Sequence, residues 1–204
     1  MGEQGLLTAV SVGRPRLARY RGRTVSSAIW KQPVAGRVVV RGVNVAGDDQ
    51  ADRTVHGGPD KAIYAYAAED AEWWQVELDR ELGAGAFGEN LTTRGIDVSA
   101  AVVGERWAIG STVLEVAQPR LPCFKLGLRH GLPDLTRRFA RALRPGAYLR
   151  IVQEGEIGAG DGLEVLWRPD HDVTVELSAR AVLFEHDRLP HVLEAPALPE
   201  AWRA

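Results

Sequence analysis

Short segments rich in β-branched residues, separated by glycine and proline turns, are the feature that most constrains the fold of this chain. Residues 37–45 read RVVVRGVNV, residues 61–67 read KAIYAYA, and residues 147–153 read AYLRIVQ. Residues 106–109 and 113–117 flank a Gly-Ser pair, which predicts a β-hairpin. Many short strands with tight turns between them favour a β-barrel or a β-sandwich.

Two stretches interrupt the strands with helical periodicity. Residues 68–82 place apolar side chains at spacings of three and four, which predicts a helix that ends at Gly83. The expected inward face of this helix consists of Ala71, Trp74, Leu78 and Leu82. Residues 134–144 predict a shorter helix with Asp134 as its N-cap, and the pattern turns helical again from residue 173. The expected fold is therefore mainly β, of the α+β class, with a few inserted helices and a short helical extension at the C-terminus.

Charge is distributed unevenly along the chain. Residues 1–47 contain eight arginines and lysines and one acidic residue, Glu3, so this segment carries +7 whereas the whole chain carries −2. An arginine-rich, acid-poor start is typical of a transit peptide, of a solvated basic face, or of one wall of a pocket for an anionic ligand, and the sequence leaves these three open. The net charge argues against binding of a nucleic-acid polymer.

The cysteine count excludes several classes of site. Cys123 is the only cysteine, which excludes an internal disulfide, a CxxC zinc site and an iron–sulfur cluster ligated by this chain alone. No apolar run approaches the roughly 20 residues that span a bilayer, and no apolar signal-peptide core lies near Met1. We therefore expect a cytoplasmic protein with no membrane association.

The surroundings of Cys123 favour a reactive thiol. Residues 118–125 read QPRLPCFK, so two prolines constrain the backbone and Arg120 and Lys125 supply positive charge. Positive charge favours the thiolate, which is the nucleophile and the metal ligand. An isolated cysteine is more often a small buried apolar residue, and a hydrolase would need His56 or His130 beside it as a base. Local sequence leaves these interpretations open.

Three further segments combine glycine with polar or basic side chains: AIWK at 28–31, DRTVHGGPDK at 52–61 and FGENLTT at 87–93. A Gly-Gly pair allows close approach of backbone N–H groups to an anion because glycine has no Cβ. The residues in these segments that could bind an anion or a heterocycle are Lys31, Arg53, His56, Gly57, Gly58, Lys61, Asn90 and Thr92. Residues 28–31 are more typical of a surface lysine and residues 87–93 of an ordinary turn, whereas the basic residues around the Gly-Gly pair make anion binding as good an interpretation as a turn.

In this order, the four segments resemble the MOSC family, named for the C-terminal domain of molybdenum cofactor sulfurase, and in particular its YiiM-type branch. The matching text is SAIWKQPVAGRV (27–38), DRTVHGGPDKAIYAY (52–66), FGENLTTRG (87–95) and VGERWAIGSTVLEVAQPRLPCFKL (103–126). The resemblance implies a β-barrel domain over residues 27–168, on which residues 1–26 pack, and a short three-helix extension over residues 172–204.

The resemblance also implies chemistry. Proteins of this family hold molybdenum as a pterin dithiolene, the molybdenum cofactor (Mo-molybdopterin), with a cysteine at the position of Cys123 as protein ligand and catalytic residue. The residues that would bind the pterin or its phosphate are Lys31, Arg53, His56, Gly57, Gly58, Lys61, Asn90, Thr92 and Arg120. Relatives reduce N-hydroxylated bases and amidoximes, so we expect an oxidoreductase supplied by a flavin or iron–sulfur reductase. The alternative is a non-catalytic carrier of the cofactor, or of sulfur as a persulfide on Cys123.

Overall fold

We analysed a computed structural model of the chain, which describes residues 4–51 and 57–203. Its strands are β1 (Gln4–Val12), β2 (Arg16–Tyr20), β3 (Arg23–Ser27), β4 (Gln32–Pro33), β5 (Arg37–Arg41), β6 (Asn44–Val45), β7 (Ile63–Ala67), β8 (Leu91–Arg94), β9 (Arg106–Ile109), β10 (Thr112–Pro119), β11 (Ala147–Gln153), β12 (Gly155–Gly158) and β13 (Gly162–Trp167). Its α-helices are α1 (Ala68–Leu78), α2 (Phe124–His130), α3 (Leu135–Ala142), α4 (Val175–Leu183) and α5 (Leu189–Val192). Short 3-10 helices lie at Pro59–Lys61, His186–Arg188 and Glu200–Trp202.

Seven of the described strands close a barrel. Each strand is hydrogen-bonded to the next in the order β13-β9-β10-β11-β7-β8-β1, and β1 pairs with β13 to complete the ring. Neighbours around the ring are antiparallel except β7 and β8, which are parallel and are joined through α1. Closure removes the free edges of a sheet. The predicted barrel with inserted helices is therefore confirmed.

Three apolar clusters hold the elements together. The barrel interior contains fully buried side chains such as Ile63, Trp107 and Leu114. Outside the barrel, aromatic side chains of β7, α1 and α3 form a second cluster together with Phe87. A third cluster includes Val103 and lies under the C-terminal helices. Because burial of one such side chain contributes about 1.5–3 kcal/mol, these clusters hold β7, β10 and β11 together. The candidate site lies beside the start of β7, the end of β10 and the start of β11.

Several predicted elements are confirmed and two boundaries are wrong. The hairpin of β9 and β10 forms as predicted. Residues 37–45, predicted as one strand, form two, because Gly42 adopts a φ of +64° and the chain turns back so that Val40 pairs with Val45. The first helix ends at Leu78, since Asp79 adopts the left-handed conformation with a φ of +48°.

Some local features were not read correctly from the sequence. Asp134 does occupy the N-cap of α3, but its side chain makes no capping hydrogen bond, and its carbonyl accepts from the N–H groups of Arg137 and Arg138. Helix α2 was missed, because its seven residues are too short to show a periodic pattern and contain Gly127. That glycine is required by packing, since a Cβ there would lie 2.8 Å from the carbonyl oxygen of Leu132.

The chain ends carry two further features. Strand β1, which precedes residue 27, pairs with β8 and β13 in the barrel, and the domain boundaries given above stay a prediction. In the C-terminal segment, the Thr174 side chain caps α4 by accepting from the N–H of Leu177 at 3.0 Å. Among residues 4–51 and 57–203, no helix has the length and apolar character needed to cross a bilayer. The cytoplasmic location stays a prediction.

Candidate functional site

An open cavity lies where the ends of β3, β7, β10 and β11 approach one another, and it encloses about 620 Å³ when the open solvent at its mouth is included. Four described basic side chains line it together with Cys123: Lys31, Lys61, Arg120 and Lys125. The acidic side chains on its wall are Asp48 and Asp49. Tyr64, Phe87, Gly88, Asn90 and Tyr148 add aromatic and neutral polar surface. The cavity therefore combines one thiol with an excess of positive charge.

Cys123 is held on the wall by its backbone. It is the N-cap of α2, with extended dihedrals of −135° and 167°, and its side chain is half-buried and free. Its carbonyl accepts from the N–H of Leu126 at 3.1 Å and from the hydroxyl of Thr136 at 3.2 Å. These bonds tie the residue to α2 and α3, so the thiol has a fixed place in the cavity.

Arg120 is a buried cation with an unused donor. Only 5% of the residue is exposed, yet its Nη1 has no hydrogen-bond partner among the described residues. The guanidinium carbon lies 5.7 Å from the ring centre of Tyr64 and 5.3 Å from that of Phe139. Burial lowers the pKa of Arg120, whereas the Tyr64 hydroxyl and the Cys123 thiol raise it, and the net shift is upward. A buried polar group without a partner costs about 1–3 kcal/mol, which an anion in the cavity would offset.

Lys31 forms a buried ion pair that sequence reasoning missed. Its ammonium contacts the carboxylate of Asp48, which also accepts from the N–H of Gly13 at 2.7 Å and from Asn90 Nδ2 at 3.0 Å. Burial lowers the pKa of Lys31, and Asp48 opposes that shift. The lysine charge is therefore largely balanced inside the protein. The partner lies 17 residues along the chain, and no local signal identifies it.

Asn90 and Thr92 are occupied by protein groups. Asn90 Oδ1 accepts from the N–H of Tyr64 at 3.1 Å, and its Nδ2 donates to the carbonyl of Ser11 at 3.2 Å. Asn90 thus joins the start of β7 to β1 while it lines the cavity. Thr92 does not line the cavity, and its hydroxyl donates to the buried carboxylate of Glu89 at 3.2 Å. Asn90 therefore lies in the site, whereas Thr92 is outside the cavity wall.

Glu89 organises the loop that carries Phe87 and Gly88. Its carboxylate accepts from the N–H groups of Gly85 and Phe87, the latter at 2.9 Å. Burial raises the pKa of Glu89, and its backbone hydrogen bonds act in the opposite direction. Gly88 has a φ of +83°, and a Cβ there would lie 2.9 Å from Ile29. Glycine is required here because this loop packs directly against the segment that follows β3.

The Gly-Gly segment leads into the cavity through Lys61. Gly57 and Gly58 precede the 3-10 helix Pro59–Lys61, and Gly58 has a φ of +91°. Neither glycine is part of the cavity wall, whereas Lys61 is. Arg53 and His56 lie outside the described residues, so their predicted roles stay predictions.

A chain of hydrogen bonds joins this segment to the C-terminus. Arg150 Nε donates to Asp60 Oδ1 at 2.6 Å. Gln118 Nε2 donates to the carbonyl of Asp60 at 3.2 Å, and Gln118 Oε1 accepts from Trp202 Nε1 at 2.9 Å. Arg150 also donates to the carbonyl of Ala197 at 2.7 Å. The C-terminal segment thus holds Asp60, the residue before Lys61, in place. The bond between Gln118 and Trp202 joins residues 84 positions apart, and the sequence does not reveal it.

The described histidines give no support to cysteine–histidine chemistry. His130 Nε2 lies 2.9 Å from the carbonyl oxygen of Ala86, and its ring packs beside Phe87 with centres 5.6 Å apart. It is not part of the cavity wall. Burial lowers the pKa of His130 from its ordinary value. Among the residues that the structure describes, the wall around Cys123 contains no histidine base.

Comparison with known proteins gives consistent matches. Residues 52–164, more than half of the chain, match the family model described as the MOSC domain. The chain is 33% identical to the uncharacterized protein YflK of Bacillus subtilis over 99% of its own length and 93% of that protein. It is also 33% identical to a reductase of Gibberella moniliformis, covering 96% of this chain but 35% of that protein. The crystal structure of YiiM from Geobacillus stearothermophilus superimposes with a TM-score of 0.80 at 31% identity, covering 98% of this chain and 95% of that chain.

Proposed function

The chain belongs to the MOSC domain family, and from that premise we propose that it is an oxidoreductase that binds the molybdenum cofactor and reduces N-hydroxylated bases and amidoximes with electrons from a partner reductase. The observation that carries the proposal is Arg120, a buried guanidinium with an unused N–H group on the same cavity wall as the only thiol of the chain. Similarity to a protein named reductase supports the redox class.

The donor set fits such a cofactor. Within residues 4–51 and 57–203, no three His, Cys, Asp or Glu side chains come together as a metal site. A metal held by Cys123 would take further ligands from a pterin dithiolene, and a thiolate is a soft ligand suited to a transition metal. The phosphate of the pterin is an anion that matches the positive side chains of Arg120, Lys61 and Lys125.

The remaining wall residues have roles that follow from their surroundings. When bound, the cofactor would supply two-electron redox chemistry that side chains do not provide. Reduction of an N-hydroxylated amine consumes two electrons and two protons, breaks the N–O bond and releases water. Burial raises the pKa of Tyr148, with Arg120 acting against that shift, so its hydroxyl keeps its proton at neutral pH. That hydroxyl is available to donate a hydrogen bond to the substrate oxygen.

Metal and pterin content tests the cofactor assignment. Wild type, Cys123→Ala and Arg120→Met would be produced in a cofactor-synthesising host and analysed for molybdenum and pterin. We expect Cys123→Ala to lose most of its molybdenum and Arg120→Met to lose pterin as well. Arg137→Met is the matched control, because Arg137 is exposed on α3. Wild-type molybdenum content in Cys123→Ala would refute the ligand assignment.

Activity is tested separately. Loaded wild-type protein reduced with dithionite should convert 6-hydroxylaminopurine to adenine and benzamidoxime to benzamidine. Loaded protein that leaves both compounds unchanged would refute the reductase proposal. A mass increase of one sulfur atom on Cys123 after incubation with a cysteine desulfurase would then favour the carrier alternative.

A further inference from the structure

The hairpin of β2 and β3 is a separate basic arm. Its two strands pair with each other and with no other described strand, and the turn between them contains Gly22 with a φ of +79°. Residues 14–27 contain no aspartate or glutamate. The arm and the residues that lead into it carry five exposed arginines: Arg14, Arg16, Arg19, Arg21 and Arg23. We call this segment, residues 14–27, the basic arm.

No described carboxylate neutralises the arginines of the basic arm. Two of the arginines rest on aromatic rings: the guanidinium carbon of Arg16 is 3.8 Å from the ring centre of Trp30, and that of Arg21 is 5.4 Å from the ring centre of Tyr20. Within residues 4–51 and 57–203, none of the five forms an ion pair with a carboxylate. Their positive charge is therefore available to an external partner.

The basic arm lies at the mouth of the cavity. The ring of Tyr20 packs against the ring of Phe124, with centres 4.9 Å apart, and Phe124 directly follows Cys123. Ser27, the last residue of the arm, is part of the cavity wall. Leu17 on the arm is 75% exposed, and Leu121 and Phe124, on either side of Pro122 and Cys123, are also exposed. The basic arm therefore contacts the entrance through Tyr20 and Ser27, and its arginines and Leu17 are exposed on the same hairpin.

The extent and composition of this surface indicate the class of partner. A five-residue strand is about 17 Å long, so the arginines are spread too widely to converge on one small anion. Arginine and aromatic residues are enriched at protein–protein contacts, and the exposed Leu17 would have no role against a phosphate backbone. An acidic protein surface fits this combination of charge and apolar area.

We propose that the basic arm docks the acidic protein that delivers electrons to the cavity. The inference rests on the proposed function, because a reductase whose chain has a single cysteine needs an external electron source for each two-electron reduction. A donor bound on the arm would sit against Phe124, one residue from Cys123. Docking of this kind is steered by long-range charge, so its rate falls as ionic strength rises.

Binding of an acidic flavodoxin is the direct test. The triple variant Arg19→Glu, Arg21→Glu and Arg23→Glu reverses the arm, and a control triple reverses exposed arginines elsewhere: Arg41, Arg137 and Arg141. Calorimetric titration at low salt should show binding to wild type and to the control triple, and a loss of affinity of roughly tenfold or more in the arm variant. Equal affinity of all three proteins would overturn the proposal. Tighter binding of a DNA duplex than of flavodoxin, abolished in the arm variant, would also overturn it.

The rate of substrate reduction separates docking from the proposed function. With loaded protein, the flavodoxin-driven rate should fall at least about tenfold in the arm variant, while the rate with dithionite-reduced methyl viologen stays within about twofold. Equal losses with both reductants would refute docking. If methyl viologen supports no reduction even in wild type, the proposed function fails, whereas the binding titration still decides whether the arm binds an acidic electron-transfer protein.

Discussion

Two glycines with nearly the same positive φ provide a matched test of packing behind the site. Gly146, just before β11, has a φ of +64°, and Gly131, the C-cap of α2, has a φ of +68°. A Cβ on Gly146 would lie 2.5 Å from the carbonyl oxygen of Ala65 and 2.7 Å from the ring of Tyr66. A Cβ on Gly131 would have no neighbour within 4 Å among the described atoms.

The expected magnitudes differ because of these neighbours. In both positions alanine costs about 1–2 kcal/mol for the left-handed conformation, partly offset by about 0.4–1 kcal/mol from the restricted unfolded chain. Only Gly146→Ala adds an overlap with backbone and ring atoms, for which overpacking typically costs about 1–3 kcal/mol. We therefore expect a loss of roughly 2–4 kcal/mol for Gly146→Ala and about 1 kcal/mol or less for Gly131→Ala.

Thermal and urea unfolding measure this difference. For a chain of this size 1 kcal/mol corresponds to about 2–4 °C, so Gly146→Ala should lower the Tm by roughly 4–16 °C. The carbonyl of Gly146 also accepts from the N–H of Arg120 at 3.3 Å, so the same shift should disturb the cavity wall and reduce cofactor content. Equal Tm values for the two variants would refute the packing argument.

Three further predictions concern the cavity and its supports. Trp202→Phe removes the indole N–H that donates to Gln118, so we expect the free energy of unfolding in urea to fall by about 1–2 kcal/mol. The control is Trp167→Phe, because Trp167 is exposed. Equal losses in the two variants would contradict the role of the hydrogen bond. Arg120→Met removes a buried guanidinium whose Nη1 has no described hydrogen-bond partner, so the cofactor-free variant should be at least as stable as wild type. A clear fall in the urea midpoint would contradict this and show that the remaining contacts of Arg120 stabilise its charge. Burial lowers the pKa of His130 in the folded protein below the 6.5 of an exposed histidine. At a pH between the folded and unfolded pKa, the unfolded chain binds more protons than the folded one, so the free energy of unfolding falls as pH drops. His130→Asn should weaken this fall in unfolding free energy between pH 7.5 and 5.5, and an unchanged slope would refute it.

Local patterns in the sequence predicted short strands in a barrel or a sandwich, and the resemblance to the MOSC family selected the barrel. The hairpin of β9 and β10 depends on alternation and a Gly-Ser turn, both of which lie within a dozen residues. Strand β11 was predicted with the same bounds that it has in the structure. Cys123 was a candidate from its proline and basic neighbours, and the resemblance gave it a specific role. The structure places it with Arg120, Lys61 and Lys31 on one cavity wall.

Only the tertiary structure decided how the side chains of the site are used. The sequence treats Lys31 and Arg120 alike as basic ligands, but Asp48 balances the first and no described carboxylate pairs with the second. Thr92, in the same motif as Asn90, turns its hydroxyl to Glu89 instead of the cavity. The chain itself determined which groups are present and roughly where strands form, because those signals are local. Which charge is neutralised and which remains unpaired depends on segments that meet only when the barrel closes.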